Sequence, residues 1–73
     1  MDAQEAGALL SRLGARERDV ALAVAEGETN AQIAADLYLS IPTAKAHISH
    51  MQTKLDLNNR VQIALLAYRA GLI

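Results

Sequence analysis

The chain has no cysteine, no tryptophan, no phenylalanine and one proline, Pro42, among its 73 residues. Without cysteine, neither a disulfide framework nor a thiolate zinc site can stabilise a domain this short. The same absence fits a reducing cytoplasm. No apolar run approaches the roughly 20 residues of a membrane span. The opening stretch MDAQEAGALLSRLG has no basic region ahead of an apolar one, so no secretory signal is expected. Alternating polar and apolar positions are missing, as are the Asn-Gly and Asp-Gly pairs that mark tight hairpins. Paired carboxylates, a glycine-rich phosphate loop and a nucleophile–base constellation are missing too, which argues against an enzyme and against a cofactor. His47 and His50 could form one edge of a metal site, but no third ligand stands at suitable helical spacing. A soluble, cytoplasmic, non-enzymatic domain without a metal is expected.

What is present is aliphatic. Alanine, leucine, isoleucine and valine dominate the apolar 52% of the chain, and Tyr38 and Tyr68 are the only aromatics. Alanine and leucine are the strongest helix formers, so the domain should be all-α. A chain of this length lies near the lower limit at which one apolar core suffices. Residues 1–12 show no helix-length apolar period and read as a linker or lead-in, with Leu9, Leu10 and Leu13 able to pack on the domain that follows at 13–73.

From Gly14 the punctuation becomes regular. Gly14 as N-cap, Glu17 three residues on, and Gly27 as a stop predict a helix over 15–26. Thr29 followed by Gln32 is a capping box opening a helix over 30–37. Ser40, with Pro42 in the first turn, opens a third over 41–55, whose Ala44, Ile48, Met51 and Leu55 recur at spacings of four, three and four. Asn58 or Asn59 caps a fourth over 60–70, and Gly71 ends it. A four-helix bundle is expected. Its second and third helices are joined by a three-residue turn, which is the helix-turn-helix arrangement.

Net charge is −1, yet its halves differ: residues 1–36 carry −4 and residues 37–73 carry +3. The stretch SIPTAKAHISHMQTKL, residues 40–55, holds two lysines, two histidines and no carboxylate. Only the contacting face of a nucleic-acid binder must be positive, so the distribution outweighs the total. With the apolar stripe of the third helix inward, Lys45, Ala46, Ser49, Gln52 and Thr53 fall outward, flanked by His47 and His50. Lys45 can donate to guanine O6 and N7, whereas Ser49 discriminates poorly between bases. Thr29, Asn30, Ser40, Thr43 and Lys54 are placed for phosphate oxygens, although capping alone explains Thr29 and Ser40 equally well.

RERDV at 16–20, AEGETNAQIA at 25–34, LYLSIPTAKAH at 37–47, Lys54-Leu55 and NRVQIA at 59–64 resemble, in order and spacing, the LuxR/NarL-type helix-turn-helix domain. That family is the DNA-binding output module of many bacterial response regulators in two-component systems. The resemblance covers residues 13–73. It implies a third helix in the major groove, dimeric binding to operator DNA, Lys45, Ala46 and Ser49 toward bases, and Thr29, Asn30, Thr43, His47 and Lys54 near the backbone. It also implies a phosphoacceptor receiver upstream, for which the acidic lead-in would be the linker and Leu22 a contact. Gly14 replaces a usual threonine, Ala44 a usual valine, and Ser49 a frequently basic residue, so firmer capping and some DNA contacts are lost.

The last predicted helix, RVQIALLAYRA, is apolar on nearly every side, and in so small a domain a second chain is the expected cover. A homodimer through Val61, Leu65, Leu66, Tyr68 and Arg69 follows. Two alternatives remain at this point: the promoter-binding fourth region of sigma factors, and a helical protein-interaction module without DNA function.

Overall fold

The computed structural model describes residues 2–72, which form five helices: α1 (Ala3–Leu10), α2 (Ala15–Ala25), α3 (Asn30–Leu37), α4 (Ile41–Lys54) and α5 (Arg60–Arg69). The all-α expectation holds, with one helix more than the four expected. Residues 3–10 are helical rather than an unstructured lead-in. Asp2 caps them, its carboxylate accepting from the Glu5 N–H at 2.8 Å. Ala6 and Leu10, one turn apart, are buried against the rest of the core, and α1 packs on α5. Two inward residues are too few to register as a period, which is why the sequence does not announce this helix.

The predicted caps form as expected. Thr29 Oγ1 accepts from the Gln32 N–H at 3.2 Å, and Gln32 Oε1 accepts from the Thr29 N–H at 2.8 Å. Ser40 Oγ accepts from the Thr43 N–H. Asn59, not Asn58, caps α5. At Gly14 only half the box exists: Glu17 Oε1 accepts from the Gly14 N–H at 3.3 Å, and glycine has no side chain with which to return the bond.

Helices α2 to α5 end alike. A left-handed residue reverses the chain and the next N–H reaches back five residues: Glu28 to Ala23 O, Leu39 to Ala34 O, Leu57 to Gln52 O and Leu72 to Ala67 O. Glycine supplies the left-handed residue at Gly27 and Gly71, where it costs little. Tyr38 (φ 57°) and Asp56 (φ 56°) supply the other two. Asp tolerates this region, whereas a bulky Tyr adopts it at a cost of roughly 1–3 kcal/mol.

Val20, Ala21 and Val24 of α2, Ile33 and Ala34 of α3, Ala44, Ile48 and Met51 of α4, and Ile63, Leu66 and Ala67 of α5 are buried, with Leu13 and Leu55 closing the ends. Helix α2 is central, meeting α3, α4 and α5. Alanines at 21, 34, 44 and 67 let the helix axes approach closely. Among the described residues no helix is long and apolar enough to cross a membrane.

Candidate nucleic-acid interface

Helix α4 meets α2, α3 and α5 on its inner side. Its outer side is left open. Lys45, Ala46, Ser49, His50, Thr53 and Lys54 are exposed, along with Pro42 and Thr43 at its N-terminal end. This matches the sequence reading except at the margins, where His47 and Gln52 are half-buried. The two small residues, Ala46 and Ser49, sit in the middle of the open face, so the backbone there can lie close to an opposing surface. Two further exposed side chains were not singled out by sequence reasoning, Tyr38 in the α3–α4 turn (95% exposed) and Ile41 at the start of α4.

The expected phosphate-facing residues divide by what else they do. Ser40 Oγ both accepts from the Thr43 N–H and donates to Thr43 Oγ1 at 2.8 Å. Its donor is committed to the cap, and the Thr43 hydroxyl proton is the one left for an incoming oxygen. Asn30 Oδ1 accepts from Arg60 Nη1 at 2.7 Å, which leaves its amide hydrogens for donation. Arg60 Nη2 also donates to the Glu28 carbonyl at 2.9 Å, so one guanidinium ties the start of α5 to the start of α3. A partner thirty residues away leaves no local trace in the sequence, and Arg60 was missed for that reason.

Glu17 was also missed as anything but a cap. It is buried, and its carboxylate lies 2.8 Å from His50 Nδ1 and 3.5 Å from Lys54 Nζ. Burial pushes the Glu17 carboxyl up, but the Gly14 N–H, the His50 ring and the Lys54 ammonium together hold it below its ordinary value. On the opposite edge of α2, Asp19, Glu26, Glu28 and Asp36 line a shallow cleft over Leu22, Ala23 and Leu37. Hydrogen bonding with Asp36, then burial, then the charges of Asp36 and Glu26 hold the Glu28 carboxyl above its ordinary value. Four of the eight carboxylates are therefore gathered around this cleft, whereas Glu17 is paired with α4. Among the described residues no group of three or more histidines and carboxylates is placed to hold a metal ion.

The dimer residues need one correction. Leu66 is 2% exposed and belongs to the core, because it lies three residues after the fully buried Ile63 on the inward side of α5. Val61, Leu65 and Tyr68 are 62%, 47% and 67% exposed and follow at spacings of four and three on α5, whereas the exposed Leu72 lies past the left-handed Gly71, beside Ala15, Arg18, Asp19 and Leu22 of α2. The exposed apolar side chains of α5 therefore form one stripe. Arg69 borders it, lining with Leu57, Gln62, Leu65 and Leu66 a groove of about 180 Å³.

Residues 11–67 match the family model described as bacterial regulatory proteins, luxR family. The chain belongs to that family. It is 40% identical over 58 residues to the transcriptional regulatory protein LiaR of Bacillus subtilis strain 168, covering 80% of this chain and 28% of that protein. It is 34% identical over 65 residues to the response regulator protein VraR of Staphylococcus aureus, covering 89% and 31%. Among solved structures, full-length FixJ from B. japonicum superposes with a TM-score of 0.83 at 31% identity, over 97% of this chain and 35% of that one. This LuxR-type domain thus spans about a third or less of the relatives it matches. The family is one of DNA-binding regulators of response-regulator type rather than of enzymes, so the regulator reading prevails over the sigma-factor and protein-module alternatives.

Proposed function

We propose that this LuxR-type domain reads operator DNA with the outer face of α4 in the major groove, and pairs with a second copy along α5. The observation carrying the first part is the open, carboxylate-free side of a fourteen-residue helix whose other side is wholly engaged with its own molecule. Lys45 is the base-reading donor, near the N-terminal end where a recognition helix meets base edges. Ala46 and Ser49 permit close approach. Thr29, Asn30, Thr43, His47 and Lys54 face phosphates, which fix register without reading sequence. In the longer protein an upstream receiver domain would control this output, as in the response regulators it resembles.

Selecting duplexes from a random pool returns the operator and its half-site spacing. On that operator Lys45→Ala should cost about 1–3 kcal/mol and relax preference at one base position. If affinity for every sequence falls equally, Lys45 is a phosphate contact and the base-reading assignment is wrong. Affinity should also fall steeply with salt, by roughly 0.9 log unit per log salt for each phosphate neutralised.

For the dimer, the stripe of Val61, Leu65 and Tyr68 on α5 has the four-and-three spacing of a helix–helix seam. A two-fold axis across it would bring each copy's Leu65 against the same stripe of the other. Leu65→Asp places a charge in that seam. It should lower the dimer population in sedimentation and abolish cooperative half-site occupancy while helicity stays unchanged. Unaltered sedimentation and cooperativity would remove the pairing proposal.

A further inference from the structure

One contact beside α4, between Glu17 and His50, is not accounted for by the α2 cap. Glu17 contributes to its cap with Oε1, yet its Oε2 is turned across the helix interface to His50 Nδ1, 2.8 Å away. The Glu17 side chain is 10% exposed and that of His50 is 65% exposed. The imidazole is therefore gripped at one edge from inside and open at the other. An ionised carboxylate only accepts, so the proton of a neutral His50 must sit on Nδ1. Its Nε2 then turns a lone pair outward. A phosphate oxygen is also an acceptor, and the two repel. When the ring is protonated, Nε2–H becomes a donor to phosphate while Nδ1–H keeps its bond to Glu17.

We infer that His50 is a proton-linked phosphate contact, and that Glu17 is the positioning residue that makes it one. Duplex binding then takes up a proton at His50. This rests on the reading that the outer face of α4 meets DNA. The neighbouring charges favour and oppose it in identifiable ways. Glu17, from α2, favours the imidazolium. Lys54, one turn further along α4, opposes it while sharing the same carboxylate at 3.5 Å. His47, three residues earlier on α4, is half-buried and is the other imidazole on this helix. Among the described residues α3 and α5 place no hydrogen bond or ion pair on His50. In the complex a carboxylate and a phosphate flank the ring, whereas in the free protein only the carboxylate does. The imidazolium is therefore favoured more in the complex. The added affinity is complete in mildly acidic solution and is lost as pH rises and the ring deprotonates.

A phosphate contact is independent of sequence, so a mixed-sequence duplex of about two helical turns is a sufficient probe. Its affinity for the 73-residue chain is measured by fluorescence anisotropy from pH 8 to pH 6 at constant ionic strength. A gain of about tenfold is expected, the size of one charge-assisted hydrogen bond. With His47→Gln as the common background, so that no second imidazole faces the duplex, His50→Gln should reduce that gain to less than twofold. Glu17→Gln keeps an acceptor for Nδ1 but removes the charge, so the gain should shrink and shift to lower pH. A second readout needs no variant: long-range ¹⁵N correlation spectra of the free protein should show neutral His50 as the Nδ1–H tautomer. An Nε2–H tautomer, or a pH gain that survives His50→Gln, overturns the inference. Absence of binding at every pH overturns instead the assignment of α4 to DNA on which it rests.

Discussion

Replacing Ala46 by glutamate is expected to abolish duplex binding and leave the fold intact. Ala46 lies on the open side of α4, next to Lys45 and one turn from His50 and Ser49, and it is absent from the core. Losing an exposed helical alanine to glutamate costs only a few tenths of a kcal/mol in propensity. In the complex the same change inserts a carboxylate where the phosphates and the acceptor-rich groove floor converge. Like charges facing each other across an interface cost several kcal/mol, so the loss should be at least about a hundredfold. The charge change alone is controlled by Ala8→Glu, an exposed position on α1, which packs against α5. That variant has the same net charge and should bind within about threefold of the parent. Anisotropy titrations at low salt measure both, with far-UV circular dichroism to confirm equal helicity. If Ala46→Glu also binds within threefold, the outer face of α4 does not meet DNA.

The reach of the sequence in this molecule depends on separation along the chain. Features set by residues three or four apart were legible. The boundaries of α2 to α5 follow the capping residues Gly14, Thr29, Ser40 and Asn59, and the inward stripe Ala44, Ile48, Met51, Leu55 is buried as its spacing requires. Because that stripe is buried, the opposite side of α4 is exposed, as its spacing requires, and most of the proposed interface residues lie there. Features set by distant pairs were not legible. Arg60 with Asn30 and Glu17 with His50 are separated by 30 and 33 residues, and nothing in either local pattern reveals the partner. Leu65 and Leu66 show a third kind of limit. Adjacent leucines on a helix differ by about 100° in direction, and in a segment apolar on all sides periodicity cannot decide which one faces inward. Packing of α1 and α2 on α5 decides it, placing Leu66 in the core. The left-handed Tyr38 is a fourth case. Sequence rules anticipate glycine or asparagine at that position, and a tyrosine there reads simply as the end of a helix.

Truncating Leu10 to alanine tests the one element that the sequence did not foretell, and its effect on stability should be the largest of any change outside α2–α5. If residues 1–12 were a linker, the substitution would be neutral. In the structure Leu10 is 2% exposed and joins the core cluster, while Ala6 one turn before it is fully buried. Removing three buried carbons and leaving a cavity typically costs 2–5 kcal/mol. A domain below about 80 residues rarely has more than 3–5 kcal/mol in total. A loss of that size therefore removes most of the margin, and at 4–8 °C per kcal/mol the melting midpoint should fall by at least about 8 °C. The mechanism separates this from a simple propensity effect, because alanine is a better helix former than leucine and α1 taken alone would gain. Thermal melts followed at 222 nm give the answer, with the exposed Gln4→Ala as a control expected to melt with the parent. Should Leu10→Ala melt with the parent too, α1 is not docked in solution. The core would then be closed by α2–α5 alone, and the α5 surface now covered by α1 would be open to a partner.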